Sequence, residues 1–269
     1  KNISFIKYIA AFIIIVFLCL LSYSTYNRTK VWKNNYTLWT DVINKYPRKV
    51  EVAYKNRGNY FARESEEFDK ALNDYKTFLE LNPNDPSVYS NRGNLYGLQE
   101  KFQLAIADYT KAISLDSNYV DAHVNRAITY MKINKADSAL YDFNYAVKLT
   151  PGNIKNIRNR AYCYVQLNKS DSAISEYSYV ISKDPSNPYD YFYRGIAYFQ
   201  IKDYQNAIID NTKAIEMQPD MGSAYLNRAI SYKNIGEYKK SYDDAIKAKD
   251  LKQNISDKFI EELKLLIAK

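Results

Sequence analysis

The chain combines one continuous apolar segment with a long region in which apolar residues return at helical spacing. The segment from Tyr8 to Asn27 has no charged residue and is dense in Ile, Phe, Leu and Val. Its length matches the roughly 20 residues that a helix needs to cross the hydrocarbon of a bilayer. Beyond it, apolar and aromatic residues recur three and four positions apart, which is typical of amphipathic helices. The pattern predicts an all-α protein with a transmembrane helix at residues 1–27.

The helical pattern is periodic. Between Tyr89 and Pro151 one arrangement of residues occurs twice, and each position of the second copy lies 34 residues after its partner. A period of this size is typical of a solenoid, in which one unit cannot bury its apolar face alone and stacks on its neighbours. The shared positions are Tyr89, Arg92, Gly93, Tyr96, Ala105 and Tyr109 in the first copy and His123, Arg126, Ala127, Tyr130, Ala139 and Phe143 in the second.

Six such units fit the sequence, with the same kinds of residue at the same places. The eighth and twentieth residues are small, so that two antiparallel helices can approach closely, and aromatic residues at the eleventh and twenty-fourth places fill the space between them. We therefore interpret the many tyrosines as packing residues. Proline follows the second helix in most units and stops it. The predicted units are residues 51–85, 86–119, 120–153, 154–187, 188–221 and 222–255.

These landmarks resemble the tetratricopeptide repeat. The resemblance implies a right-handed α-solenoid of helix-turn-helix units whose first helices line a concave groove. Two further segments flank the six units. Residues 28–50 are predicted to form an amphipathic helix, a degenerate half repeat in which Trp39 and Val42 precede Pro47 at the spacing seen in the full units. Residues 256–269 are expected to form the helix that closes the array.

Basic residues are concentrated beside the apolar segment. Residues 1–50 hold eight Lys or Arg against Asp41 alone, whereas 30 of the 38 basic and 29 of the 30 acidic residues lie beyond position 50. The repeats are therefore close to neutral. A nucleic-acid partner, which needs a clustered basic face, is not expected.

The apolar segment has two other interpretations, a cleaved signal peptide that starts at Lys1 and Lys7 and a buried helix of a soluble protein. We prefer a membrane helix because of the segment's length and the tyrosines near its ends. The chain is thus expected to be a single-pass membrane protein held by residues 8–27. Basic residues are divided too evenly between the two flanks to show on which side of the membrane the repeats lie.

An arginine occupies the seventh place of every unit, and an acid follows 16 residues later, or 17 in the first unit. Because the arginine fork can bind a carboxylate with two hydrogen bonds, we expect structural ion pairs between the helices, with a ligand-facing role as the alternative. The pairs are Arg57 with Asp74, Arg92 with Asp108, Arg126 with Asp142, Arg160 with Glu176, Arg194 with Asp210 and Arg228 with Asp244.

The sixth residue is asparagine in five units and Tyr193 in the fifth. Asparagine is a poor helix former, so a column of exposed asparagines suggests a role beyond folding. In the tetratricopeptide repeats that these units resemble, this column faces the groove, where its amides hydrogen-bond the main chain of an extended peptide. A solvated polar stripe is the alternative. The predicted groove residues are Asn56, Asn59, Asn91, Asn94, Asn125, Asn159, Tyr193 and Asn227.

No catalytic constellation is apparent in the sequence. His123 is the only histidine and lies at a packing position, which argues against His-based triads and His-rich metal sites. Glycines occupy eighth places and turns rather than a phosphate-binding loop. We expect no catalytic residue, no cofactor and no metal in this chain, and another protein or peptide as its partner.

The segment Tyr26–Trp39, followed by repeats, is similar to a junction in membrane glycosyltransferases of the O-mannosyltransferase type, in which a last membrane helix runs into C-terminal tetratricopeptide repeats. Because the chain begins with Lys1 rather than Met, it could be a piece of such a protein. Two functions remain open: a membrane-anchored scaffold that binds an extended peptide, or an accessory region that presents protein acceptors to the enzyme. The gene sequence upstream of Lys1 distinguishes them.

Overall fold

The computed structural model describes residues 2–268, and every regular element within that range is an α-helix. The prediction of an all-α fold built from repeated helix pairs is confirmed. The chain divides into two compact units, the N-terminal unit Lys1–Tyr119 and the C-terminal unit Val120–Lys269. We number the six repeats predicted above from 1 to 6. Repeats 1 and 2 belong to the N-terminal unit, and repeats 3 to 6 belong to the C-terminal unit.

The helices of the N-terminal unit are α1 (Asn2–Val31), α2 (Asn35–Lys45), α3 (Glu51–Arg63), α4 (Phe68–Leu81), α5 (Pro86–Leu98) and α6 (Phe102–Leu115). Those of the C-terminal unit are α7 (Val120–Lys132), α8 (Ala136–Leu149), α9 (Ile154–Gln166), α10 (Ser170–Lys183), α11 (Pro188–Gln200), α12 (Tyr204–Met217), α13 (Gly222–Asn234), α14 (Tyr238–Asp250) and α15 (Asp257–Ile267). Each repeat thus has a first helix of 13 residues and a second of 13 or 14.

Helices pack in the order in which they follow one another within each unit. In the N-terminal unit α3 packs on α4 and α5 on α6, and α4 also contacts α5. In the C-terminal unit the corresponding contacts run without interruption from α7 to α15, and the first helix α11 touches both α9 and α13. Within each unit a second helix is therefore covered by the helix that follows it, as expected for a solenoid whose repeats cannot bury their apolar faces alone.

The small residues are where the helices come closest. Ala139, Ala173 and Ala207, each at the twentieth place of its repeat, are fully buried. A Cβ atom added to Gly58 would lie 2.8 Å from Cε1 of Tyr75, because the tyrosine ring lies directly against the first helix. Each aromatic ring at the twenty-fourth place fills the space that such a small residue leaves.

The turn between the two helices of each repeat adopts one conformation that the sequence analysis did not predict. Its central residue is in the left-handed region in all six repeats, and the next residue donates a backbone hydrogen bond to the carbonyl of the aromatic eleventh residue. This bond closes the end of the first helix and is the geometry usually built around glycine. The left-handed residues are Glu66, Glu100, Asn134, Asn168, Lys202 and Gly236.

Replacing Lys202 by glycine is expected to stabilise the chain by roughly 1 kcal/mol, because a side chain with Cβ is strained at its φ of 64° and glycine is not. Denaturant unfolding followed by circular dichroism measures the change. The matched control is Lys111→Gly within α6, where glycine should destabilise by about 1 kcal/mol. Equal effects of the two substitutions would contradict the explanation.

The N-terminal helix differs from its predicted bounds. Helix α1 continues to Val31 without a break at Asn27, and α2 begins only at Asn35, where Asn34 and Thr37 form a capping box. Trp32 therefore lies between the two helices and is 68% exposed, rather than on the apolar face of the second one. By length and composition α1 is able to cross a membrane, a property that it shares with signal sequences.

The last helix packs on the end of the C-terminal unit. Ser256 caps α15 by accepting a hydrogen bond from the amide of Phe259. Ile260 and Leu263 are buried against Ala229 and Ala245. The helix therefore covers the apolar surface that repeat 6 would otherwise expose.

Candidate peptide-binding groove

The predicted groove residues lie on the first helices of the repeats and are all half-buried. In the N-terminal unit, Asn56 and Asn59 are on α3, and Asn91 and Asn94 are on α5. In the C-terminal unit, Asn125, Asn159, Tyr193 and Asn227 take the sixth place of α7, α9, α11 and α13. A half-buried amide on a rigid helix is held in position and still faces solvent, which is suitable for binding an extended chain.

The amides of the N-terminal unit differ in how many of their hydrogen bonds are already made. Asn59 accepts a hydrogen bond of 2.8 Å from the Tyr75 hydroxyl and another of 3.2 Å from Asn91 Nδ2. Asn94 accepts one of 2.8 Å from the Tyr109 hydroxyl. Asn56 makes no side-chain hydrogen bond to any part of the chain that the structure describes, so both ends of its amide are available to a ligand.

Asn159 and Asn227 show the same contrast in the C-terminal unit. The side chain of Asn159 makes no hydrogen bond within residues 2–268. The Asn227 side-chain oxygen accepts a bond of 2.7 Å from Asn211, a buried residue that replaces the usual aromatic at the twenty-fourth place of repeat 5. Asn211 also donates to the Ala207 carbonyl at 2.7 Å. The substitution in the core thus orients one member of the predicted groove.

Tyr193 belongs to an aromatic cluster rather than to the row of amides. Its ring lies 4.8 Å from that of Tyr162 in an edge-to-face contact, 5.2 Å from that of Phe192 and 6.2 Å from that of Tyr177, all measured between centroids. Burial raises the pKa of its hydroxyl. Of these rings Tyr162 and Tyr193 are half-buried, whereas Phe192 and Tyr177 are buried, so repeats 4 and 5 have a partly exposed aromatic pair on their first helices.

The Tyr177 hydroxyl is fully buried and has no hydrogen-bond partner within the described part of the chain. The equivalent hydroxyls of Tyr75 and Tyr109 donate to an asparagine at the ninth place of their own repeats, whereas repeat 4 has Tyr162 there. Burial consequently raises the pKa of Tyr177 far above its usual range.

Removing this hydroxyl should therefore be favourable. Tyr177→Phe is expected to increase the free energy of unfolding by about 1 kcal/mol, because an unpaired buried donor destabilises the native state. Tyr75→Phe, at the same place of repeat 1, should decrease it by about 1 kcal/mol through loss of the bond to Asn59. Denaturant unfolding of the two variants compares them directly, and a loss of stability in both would show that the Tyr177 hydroxyl is paired.

The arginine column lies between helices. Each arginine bonds the acid on the second helix of its own repeat through Nε and a terminal nitrogen. Five of the six acids are buried. For Arg194 and Asp210 both distances are 2.8 Å. The groups predicted from their spacing are thus brought together as bidentate pairs.

A third bond from the arginine reaches the preceding repeat. The remaining terminal nitrogen of Arg160 donates to Asn144 at 3.2 Å, that of Arg194 to Ser178 at 3.0 Å, and that of Arg228 to Thr212 at 2.9 Å. All three acceptors occupy the twenty-fifth place of their repeats. Each of these arginines therefore joins the second helices of two successive repeats, a role that spacing alone did not indicate.

The net effect of burial and hydrogen bonding on the pKa of the acid differs from pair to pair. Burial raises the pKa of Asp210, and the bonds from Arg194 offset this only in part. Burial acts in the same direction on Asp142, but bonds from Arg126 and from His123 Nδ1, which lies 2.9 Å away, more than offset it and lower the pKa. Because a carboxylate only accepts hydrogen bonds, His123 donates through Nδ1.

Several residues beside the predicted groove residues make contacts within the chain. Arg158 donates from Nε to both oxygens of the buried Asp190, at 2.8 and 3.0 Å, and also reaches Asp184. Lys55 contacts Asp85 and Ser87, both at 2.7 Å. Ser90 is buried. Arg158 and Lys55 thus join successive repeats, and only the contacts across helices could show it.

Comparison with known proteins agrees with this architecture. Models described as tetratricopeptide or TPR repeat match residues 62–100, 86–119 and 159–222. The fold and the repeated ion pairs define a helical repeat protein. Residues 62–119 and 159–222 therefore carry tetratricopeptide repeats, as the sequence landmarks predicted.

Solved structures share the fold. YrrB, described as a TPR protein with an unusual peptide-binding site, is 24% identical with a TM-score of 0.63, covering 69% of this chain and 95% of its own. A tetratricopeptide repeat protein from Parabacteroides merdae is 19% identical with a TM-score of 0.60, covering 94% and 98%. A MamA structure is 20% identical with a TM-score of 0.57, covering 64% and 96%. No curated protein sequence matches the chain.

Proposed function

We propose that this chain is a membrane-anchored scaffold that binds an extended segment of another protein along the first helices of its repeats. The observation that carries the proposal is the row of half-buried asparagines, of which Asn56 and Asn159 make no side-chain hydrogen bond within residues 2–268. An amide with one donor side and one acceptor side matches the alternating N–H and C=O groups of an extended main chain. The peptide-binding site named for the similar YrrB structure supports the same kind of ligand.

The asparagine hypothesis is testable without loss of stability. Asn56 and Asn159 make no side-chain hydrogen bonds within the described residues, and alanine is a better helix former, so Asn56→Ala/Asn159→Ala should fold at least as well as the wild type. Peptides are first selected on the wild-type chain from a displayed random library. We expect the double variant to bind them roughly thirtyfold more weakly, because each of the two asparagines loses at least one hydrogen bond of about 1 kcal/mol.

The control is Asn73→Ala, an exposed asparagine on the second helix α4. It should leave the affinity for the selected peptides unchanged. Unchanged affinity in the double variant as well would exclude the asparagines from the ligand contact. A library that yields no peptide for the wild-type chain would contradict peptide binding itself.

The membrane part of the proposal depends on α1. Its side chains from Tyr8 to Leu21 include many large apolar groups more than 40% exposed, and none of its apolar window is buried against the chain. A surface of this kind is unfavourable in water and suited to hydrocarbon. We expect the full chain to float with lipid vesicles. We also expect its intact mass to show that α1 has not been removed. Cleavage of this segment would favour the signal-peptide alternative. The glycosyltransferase junction stays a prediction.

A further inference from the structure

The end of α1 and the last residue of α2, Lys45, form a cleft whose chemistry is unlike that of the repeats. It has a volume of about 450 Å³ and is lined by Ser24, Thr25, Asn27, Arg28, Val31 and Lys45. The Ser24 and Thr25 hydroxyls and the Asn27 amide make no side-chain hydrogen bonds to the residues that the structure describes. The cleft thus offers several free donors beside two cations.

Hydrogen bonds between α1 and α2 hold the two sides of the cleft together. The Thr37 hydroxyl donates to the Val31 carbonyl at 2.8 Å, and Arg28 bonds Asp41 of α2 at 2.8 Å. Lys45 bonds the same carboxylate oxygen at 2.8 Å. The pKa of Asp41 is lowered, mainly because of this bond. Arg28 uses one of its nitrogens for this contact, so its remaining donors are available to a second anion.

Further basic residues are close in sequence to those that line the cleft. Lys30, Lys33 and Lys49 are exposed and make no ion pair within the described part of the chain, and Asp41 is the only acid among residues 1–50. Lys30 lies 4.5 Å from the ring centroid of Tyr26. Exposed Trp32 stands between two of these lysines in the sequence. Cations and an amphipathic aromatic ring together are typical of the headgroup layer of a membrane.

The depth of the cleft follows from helix geometry. The uncharged residues Tyr8–Asn27 extend about 30 Å, at roughly 1.5 Å per residue, which is the thickness of the hydrocarbon. If α1 spans a bilayer, Ser24, Thr25 and Arg28 lie where the hydrocarbon ends and the phosphates begin. Lys30 and Lys33 follow Arg28 by two and five residues, and Lys49 follows Lys45 by four, so their cations would lie close to the same layer.

We propose that the cleft between α1 and α2, with Lys30, Lys33 and Lys49, binds the headgroups of anionic phospholipids in the membrane that holds α1. The inference rests on the proposed membrane anchor. The phosphate would take hydrogen bonds from Arg28 and from the free hydroxyls, and the flanking lysines would attract further anionic lipid by charge. Such contacts fix the height of the first repeat above the membrane surface.

The experiment uses the chain's two tryptophans, Trp32 and Trp39. Trp39→Phe leaves Trp32 as the only reporter, and the full chain is reconstituted in vesicles of phosphatidylcholine with a minor fraction of phosphatidylglycerol. Bromine on the acyl chains of one lipid or the other quenches Trp32 in separate samples. We expect roughly fivefold local enrichment of phosphatidylglycerol over its bulk fraction at low salt, and a loss of that enrichment at high salt.

The variant Lys30→Gln/Lys33→Gln/Lys49→Gln should abolish the enrichment, while the control Lys76→Gln/Lys111→Gln/Lys148→Gln, which removes three exposed lysines from the repeats, should keep it. Quenching by the two lipids in proportion to their bulk fractions, in vesicles that carry the protein, would overturn the lipid proposal and leave the anchor intact. Competition by inorganic phosphate at constant ionic strength would also overturn it. A chain that neither floats nor is quenched contradicts the anchor and the lipid site together.

Discussion

Arg194→Met is expected to lower the free energy of unfolding by roughly 3–5 kcal/mol, because it leaves the buried carboxylate of Asp210 without its cation. Asp210 is only 3% exposed, and both of its oxygens are bonded by Arg194. Methionine fills a volume similar to that of arginine. The loss of stability therefore comes from the missing charge and hydrogen bonds rather than from a cavity. Urea unfolding followed by circular dichroism measures the difference.

Two further variants separate this effect from a general sensitivity of the repeats. Arg63→Met removes an exposed arginine from the end of α3, where no ion pair is found within the described residues, and should change stability by less than about 0.5 kcal/mol. Arg194→Met/Asp210→Leu removes both charges and should recover most of the loss, since a buried pair contributes little beyond an apolar replacement. Failure of the double variant to recover would mean that Asp210 has a role other than pairing with Arg194.

Phe143→Ala is expected to cost roughly 3–5 kcal/mol of unfolding free energy, because the ring fills the space between the two helices of repeat 3. Phe143 is 2% exposed and packs in a cluster with Ala127, Ala139, Leu140 and Cys163. The small residues opposite it cannot expand to fill the cavity. The same denaturation experiment measures the loss.

Tyr141 provides the matched control on the same helix α8. It is two residues away, similar in size to Phe143 and 69% exposed. Tyr141→Ala should therefore change stability by less than about 0.5 kcal/mol. Comparable losses for the two alanine variants would show that helix propensity, and not packing at the twenty-fourth place, dominates.

The two substitutions remove different kinds of contact from the repeats. Phe143 holds together the two helices of a single repeat, whereas Arg194 joins its own second helix to that of the preceding repeat through Asp210 and Ser178. Because each repeat depends on its neighbours for stability, loss of an interaction between repeats should spread further along the array. If the repeats uncouple in this way, the free energy of unfolding should fall less steeply with urea concentration in Arg194→Met than in Phe143→Ala.

The repeat period, the helix pairs and the residues that pack between them were determined by the sequence alone. Helical periodicity and the alternation of small and aromatic residues act over a few turns of chain, so Gly58 against Tyr75 or Ala139 beside Phe143 can be predicted without coordinates. The spacing of 16 residues between each arginine and its acid is equally local, since it spans one turn between two helices.

Only the tertiary structure decided which polar groups remain available. Among the residues that the structure describes, the side chains of Asn56 and Asn159 have no hydrogen-bond partner, whereas Asn227 is held by Asn211. In the same part of the chain the Tyr177 hydroxyl lacks the partner that Tyr75 finds in Asn59. These differences depend on which single residue lies across the helix interface. Contacts between repeats 4 and 5 likewise placed Arg158 against Asp190. A repeating sequence pattern describes what the units share, but the hydrogen bonds that distinguish one unit from the next are set by distances between helices.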